Sequence, residues 1–187
     1  ARDYGFKVAA HAHGSEGIIR AVKAGVDSIE HGTLMDAEGM TLMRKEGVYY
    51  VPTLLAGAWV AEKALIKDYY PPFVEKKALE IGPQLISTFS KAYQAGVKIA
   101  FGTDTGVTPH GDNAKEFKLM VDAGMTSKEA ILSATLQASI LLGEQEKLGS
   151  ISRGKLADII AVSGNPLEDI TNLESVDFVM KDGNVVK

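Results

Sequence analysis

A chain of 187 residues with 45% hydrophobic and 24% charged side chains carries enough apolar material for a real core, so disorder is not expected. The net charge of −4 and the lack of a basic stripe argue against a nucleic-acid partner. The longest apolar stretch, Val48 to Ala61, is broken by Pro52 and Gly57 and is too short to span a bilayer. No cysteine is present, which excludes disulfides and thiolate metal sites and fits a reducing compartment.

The chain begins "ARDYGFKVAAHAH", with neither an initiator Met nor a signal-peptide pattern, and enters a strand almost at once. That is expected of a chain met in mid-fold, with any localisation signal lying upstream and the compartment undetermined. Phe6 to His11 reads as a strand. Ser15 to Ala24 reads as a helix with Ile18, Ala21 and Val22 on one face and Gly25 closing it. Val26 to His31 is a second strand, Asp36 caps a helix running to about Lys45, and "VYYVPT" is a third strand. Residues 54 to 95 are mostly helical, interrupted at Pro71 and Pro72, and longer than one crossover helix requires. They are expected to form an inserted helical wall.

"VKIAFGTD", Val97 to Asp104, reads as the fourth strand, followed by a Gly/Thr/Pro/His loop and a helix from about Asn113 to Ala123. Thr126 and Glu129 form a capping box that opens another helix ending at Gly143. From Gly149 onward the runs are short and β-rich, with Lys181 to Asn184 as a hairpin turn. Strands alternating with helices imply a parallel sheet with right-handed crossovers, and the β-rich tail implies a separate small sheet. Four strand–helix units are about half of an eight-unit barrel, which takes about 250 residues. The expected organisation is therefore an α/β half-barrel over 1–148, with the helical insertion at about 54–95, and part of a β-sandwich appendage over 149–187.

In parallel α/β architectures chemistry collects at the C-terminal ends of the strands. All four histidines obey this: His11 and His13 end the first strand, His31 ends the second, and His110 lies in the loop after the fourth, near Asp104. Alternation points His11 and His13 to one side, but their backbone positions are about 7 Å apart along a strand, which argues for one ligand and one neighbour. Imidazoles from His11 and His31 with the Asp104 carboxylate form a donor set suited to zinc or a similar divalent ion with an open water position. Such an ion would make water a competent nucleophile, and Asp104 would be placed to accept and return its proton.

Other polar residues have structural explanations. Glu30 precedes His31 directly, so alternation should point it away from the cavity that His31 faces. Lys98 shares the parity of Asp104 but lies six residues earlier, about 20 Å down an extended strand. Tyr49, Tyr50, Trp59, Tyr69 and Tyr70 suit packing, Arg153 and Asp158 suit the return into the appendage, and Thr103, Thr105 and Thr108 suit loop formation.

"VAAHAHG", "AGVDSIEHG", "FGTDTG", "ATLQASILLG", "GSISRGKLADIIAV", "GNPLEDI" and "VMKDGNVVK" resemble, in order and spacing, the C-terminal half of the amidohydrolase superfamily. Within it the strings resemble the Xaa-Pro dipeptidase-like (prolidase-like) and imidazolonepropionase-related metallohydrolases. The resemblance implies that His11 and His31 are metal ligands from the fifth and sixth strands of a (β/α)8 TIM-like barrel. By the same resemblance Asp104 is the eighth-strand aspartate that shuttles the proton, His13 touches substrate or polarises its oxyanion, and His110 borders the substrate pocket. The family's first-strand HxH pair and its metal-bridging lysine have no counterpart here, which implies an incomplete site that binds metal weakly.

The function implied is metal-dependent hydrolysis of an amide or peptide bond, in a dipeptide or an N-acyl amino acid, with one or two ions in the complete enzyme. Alternatives are a cyclic-amide hydrolase of imidazolonepropionase type and a non-catalytic half-barrel module. Open strand edges imply self-association or a complementing N-terminal half.

Overall fold

A computed structural model describes all 187 residues. Its first sheet is parallel with strand order β1 (Ala9–Gly14), β2 (Ser28–Leu34), β3 (Tyr49–Val51). Between the strands run α1 (Ser15–Ala24) and α2 (Ala37–Glu46), each ended by a glycine in the left-handed region, Gly25 and Gly47. The Asp36 side chain accepts a hydrogen bond from the Gly39 N–H at 2.8 Å and starts α2 as its sequence position requires. Both histidines of "HAH" lie inside β1, which starts three residues later than expected and continues to Gly14.

The expected fourth strand is reduced to one bridge, Ile99 against Tyr50. Tyr50 N–H donates to the Lys98 carbonyl and Ala100 N–H to the Tyr50 carbonyl, and there the ladder stops. β3 is only three residues long, and Phe101 N–H is instead taken by the Ser133 carbonyl at 3.1 Å. That carbonyl opens the five-residue π-helical segment Ser133–Gln137, where the wider turn departs from the α-helical hydrogen-bond register. A helix thus covers a backbone donor at the sheet's edge.

The helical wall is α3 (Leu54–Lys63) and α4 (Pro72–Gln94), the latter starting with proline at a position where no N–H is needed. A Cβ on Gly57 would meet Leu85 Cδ2 at 2.2 Å, so the glycine sets how closely α3 and α4 approach. Next come α5 (Lys115–Asp122), α6 (Ser127–Leu132) and α7 (Ala138–Leu142), with Thr126 Oγ1 accepting from Glu129 N–H at the start of α6. The core is built from Ile18, Val22, Met43, Leu54, Phe89 and Met120 of the helices against Ile29, Tyr50 and Ile99 of the strands. These residues occupy one face of the sheet. The other face carries His11, Glu30 and a small cluster of Tyr49, Val51 and Ala100.

The second sheet is antiparallel: β4 (Ile159–Val162), β5 (Val176–Lys181) and β6 (Asn184–Val185). Asp182 and Gly183 both have positive φ, 50° and 77°, as the two-residue hairpin turn demands. Asp158 accepts hydrogen bonds from the Lys181 ammonium and the Asp182 N–H and so fastens that turn. No helix is long and apolar enough to cross a membrane.

Candidate metal centre

Parallel register puts His11 opposite Glu30 and Ala12 opposite His31. Simple alternation would then send the His31 ring to the helix-covered face. The register prevents this. From Ala12 to Gly14, β1 advances two residues, while from His31 to Leu34, β2 advances three, so β2 holds one extra residue, a bulge. His31 and Gly32 take φ of 67° and 54° there, and the His31 ring swings back to meet the other two.

The ring centroids are 4.8 Å apart for His11 and His13, 4.6 Å for His11 and His31, and 5.0 Å for His13 and His31. One ligand nitrogen from each lies within 4.8 Å of the others. Tetrahedral coordination at about 2.0–2.1 Å places ligand nitrogens about 3.4 Å apart, so small side-chain adjustments let two of these rings share one ion. Side chains two apart on a strand converge at their tips, and the His13 ring stands beside that of His11 as the neighbour expected of it. Glu30 is a correction: the bulge, not alternation, decides where His31 points, and the two residues share the field of Asp104.

Two threonines orient the rings, and sequence reasoning missed both. Thr33 Oγ1 lies 2.8 Å from His13 Nδ1, and Thr53 Oγ1 lies 2.8 Å from His31 Nδ1. In the tautomer that donates from Nδ1, each Nε2 is left with a free lone pair, the arrangement that metal-ligating histidines need. Thr33 lies inside β2 in "EHGT" and Thr53 two residues past β3 in "VPT", placements too common for a threonine to single out. The Tyr50 hydroxyl donates to the His31 carbonyl at 2.9 Å and fixes the backbone behind the ring.

Electrostatics favour the neutral forms of His13 and His31. Burial, then the adjacent His11 and His13, lowers the pKa of His31, partly opposed by the Asp104 charge. Burial, then His11 and Lys77, lowers that of His13. Burial raises the Glu30 carboxyl against a hydrogen bond from Ser28, and Asp104 raises it further. A neutral imidazole is the form that binds a cation, so the donor set fits a divalent metal.

Asp104 lies outside the group of three rings, exposed, with φ 53°. Its neighbours are pinned: Asn113 Nδ2 donates to Thr103 Oγ1 at 3.0 Å and to Thr105 Oγ1 at 2.6 Å. His110 is exposed on the following loop and is not one of the three clustered rings. Lys98 lies over the Tyr49 ring at 5.5 Å, where Tyr49 pairs with the first residue of β2, far from the histidines.

Parallel strands backed by helices, with an imidazole cluster at their C-terminal ends, define an α/β fold with a metal-site donor set. The amidohydrolase family pattern matches residues 1–186, and the chain belongs to that family. Among solved structures, a Xaa-Pro dipeptidase with bound methionine in the active site is 59% identical with a TM-score of 0.98, covering 100% of this chain and 46% of that one. A prolidase complexed with N-methylphosphonate-L-proline is 33% identical with a TM-score of 0.88, over 100% of this chain and 46% of that one. Ochratoxinase from Aspergillus niger is 37% identical over 188 residues, covering 96% of this chain and 38% of the relative. The chain thus spans less than half the length of these relatives.

Proposed function

We propose that this chain forms one side of a metal-dependent hydrolase site that cleaves a C–N bond in a dipeptide or N-acyl amino acid. In the whole protein, residues 1–148 would be half of an eight-stranded barrel and 149–187 part of the adjoining β-sandwich. The observation that carries the reading is the convergence of His11, His13 and His31, with two of the rings held at Nδ1 by threonine hydroxyls. The amino-acid character of the substrate is supported by the methionine and the proline phosphonate held by the two structurally similar proteins.

In this reading His11 and His31 hold a divalent cation such as zinc, together with Asp104. A cation there supplies Lewis acidity and lowers the pKa of water toward neutrality. Asp104, exposed on the loop that follows the Ile99 bridge, would accept a proton from the attacking water and pass it to the leaving nitrogen. His13 donates from Nε2–H to the substrate carbonyl, in the tautomer whose Nδ1 accepts the Thr33 hydroxyl, and His110 borders the pocket.

Calorimetric titration of the chain with Zn²⁺ tests the assignment. Single His11→Ala and His31→Ala variants are expected to lose at least a hundredfold in affinity, and His13→Ala less than about tenfold. A full-length His13→Ala enzyme should keep its metal while losing hydrolysis of Xaa-Pro dipeptides. Equal metal loss in all three variants would make His13 a ligand and overturn its substrate role. Undiminished binding in all three would overturn the site.

A further inference from the structure

Thr53 occupies the N-cap position of α3, where a threonine hydroxyl ordinarily accepts a backbone N–H of the first turn. Here it makes no such bond, because its hydroxyl is spent on His31 Nδ1. Thr53 also sits at φ 50°, in the left-handed region a β-branched residue disfavours, rather than in the extended conformation of a usual N-cap. The first N–H groups of α3 therefore need another acceptor, and the strained Thr53 needs a support that fixes it.

Glu116 of α5 meets both needs from 62 residues away. Its side chain is fully buried, and its two carboxylate oxygens accept Leu54 N–H at 2.8 Å and Leu55 N–H at 2.6 Å. A buried carboxylate is costly unless hydrogen-bonded, and the α3 N-terminus repays it with two aligned donors and the positive end of the helix dipole. The clamp ends one residue from Thr53.

We propose that Glu116 is a positioning residue of the metal centre: by capping α3 in place of Thr53, it frees the Thr53 hydroxyl to orient His31. This rests on the metal-site reading above. The chain of contacts runs from the Glu116 carboxylate through the Leu54 and Leu55 amides and Thr53 Oγ1 to His31 Nδ1. Asn113, whose carbonyl accepts the Glu116 N–H, also ties Thr103 and Thr105, which flank Asp104, so the segment that leads into α5 holds both the start of α3 and the Asp104 loop.

The test is a double-mutant cycle of Glu116→Gln and Thr53→Val, read by two measurements: Zn²⁺ affinity, and the imidazole ¹⁵N resonances of His31 without metal. Glu116→Gln keeps the shape but sets an amide NH₂ against one of the two N–H donors. Each single variant is expected to weaken Zn²⁺ binding about tenfold and to shift His31 from its Nδ1–H tautomer toward a mixture. The double variant should be no weaker than about tenfold, because both act through one hydrogen bond. Val22→Ala in α1, at the far end of the sheet, serves as a control that loses stability but no affinity.

Multiplicative losses in the double variant, or an unchanged His31 tautomer in Glu116→Gln, would overturn the proposal. Should Glu116→Gln not fold, Glu116→Asp, which keeps the charge but cannot span both amides, takes its place with the same expectations. If the unaltered chain binds no Zn²⁺, the metal reading fails, while the His31 resonances still decide whether Glu116 acts on that ring.

Discussion

His31 shows how much a single backbone conformation decides. Its positive φ, with that of Gly32, brings a ring otherwise bound for the helix-covered face into contact with His11 and His13. Gly32 is the tight point: a Cβ there would lie 2.7 Å from Tyr50 Cε2, and Tyr50 is the fully buried side chain whose hydroxyl holds the His31 carbonyl. Gly32→Ala is therefore expected to lower stability by about 1–3 kcal/mol through overpacking and left-handed strain, and to weaken Zn²⁺ binding as Tyr50 is displaced. Denaturant melts and a metal titration read the two effects; wild-type affinity in a destabilised variant would separate Tyr50 from the site. At this scale the residue types were legible, since four histidines at strand ends and loops are visible without a structure. Their roles were not. A bulge has no signature beyond the glycine in "EHG", and alternation applied across it misdirected Glu30.

The helices of this chain were readable because each carries its own boundary chemistry: Asp36 and Gly47 bracket α2, Pro72 starts α4, and Thr126 caps α6. The fourth strand was misread because "VKIAFGTD" states only that the segment is apolar and extended. Pairing depends on the neighbour, and β3 offers three residues while Ser133 of the π-helical turn takes the Phe101 N–H. The α3–α5 junction is another non-local feature, since nothing near Glu116 in the sequence indicates that its partners are the amides of Leu54 and Leu55. Burial pushes its carboxyl up to about 7, against the two backbone hydrogen bonds that favour the ionised form. Tyr50 faces the same carboxylate, but burial raises its phenol far out of the physiological range. Because the folded-state pKa lies above the ordinary 4.5, the folded chain holds the extra proton between those values. The stabilisation is present at acid pH and fades as pH rises through 7, by about 3 kcal/mol in all. Unfolding free energies of the wild type minus those of Glu116→Gln, followed from pH 4.5 to 8, should fall with that slope. A difference that rises with pH would mean that the two amides hold the carboxyl below its ordinary value.

Across the whole molecule the apolar surface is unevenly covered. One face of the parallel sheet is packed under helices, yet β1 is hydrogen-bonded only to β2 and offers its other edge to solvent. Between the α5–α7 helices and the antiparallel sheet lies a cleft of about 780 Å³ lined by Phe117, Leu142, Ile151, Leu156 and Ile160. Ile151 is 84% exposed and Leu142 64%. An apolar cleft and an unpaired parallel edge are the two features that soluble chains usually cover. In relatives more than twice as long, further polypeptide is available to cover them. The 187-residue chain alone is expected to self-associate at micromolar concentration, shown by a sedimentation coefficient that rises with loading. The two features can be separated by substitution. Paired Leu142→Lys and Ile151→Lys changes place charges in the cleft without touching the core, and should restore a monomer if apolar contact drives association. If the β1 edge drives it, the same pair will leave the oligomer intact, and proline at Ala9, which removes an edge N–H, will disperse it instead. A chain that remains monomeric at every loading would show that both surfaces are tolerated in water, and that the cleft does not require a covering segment for solubility.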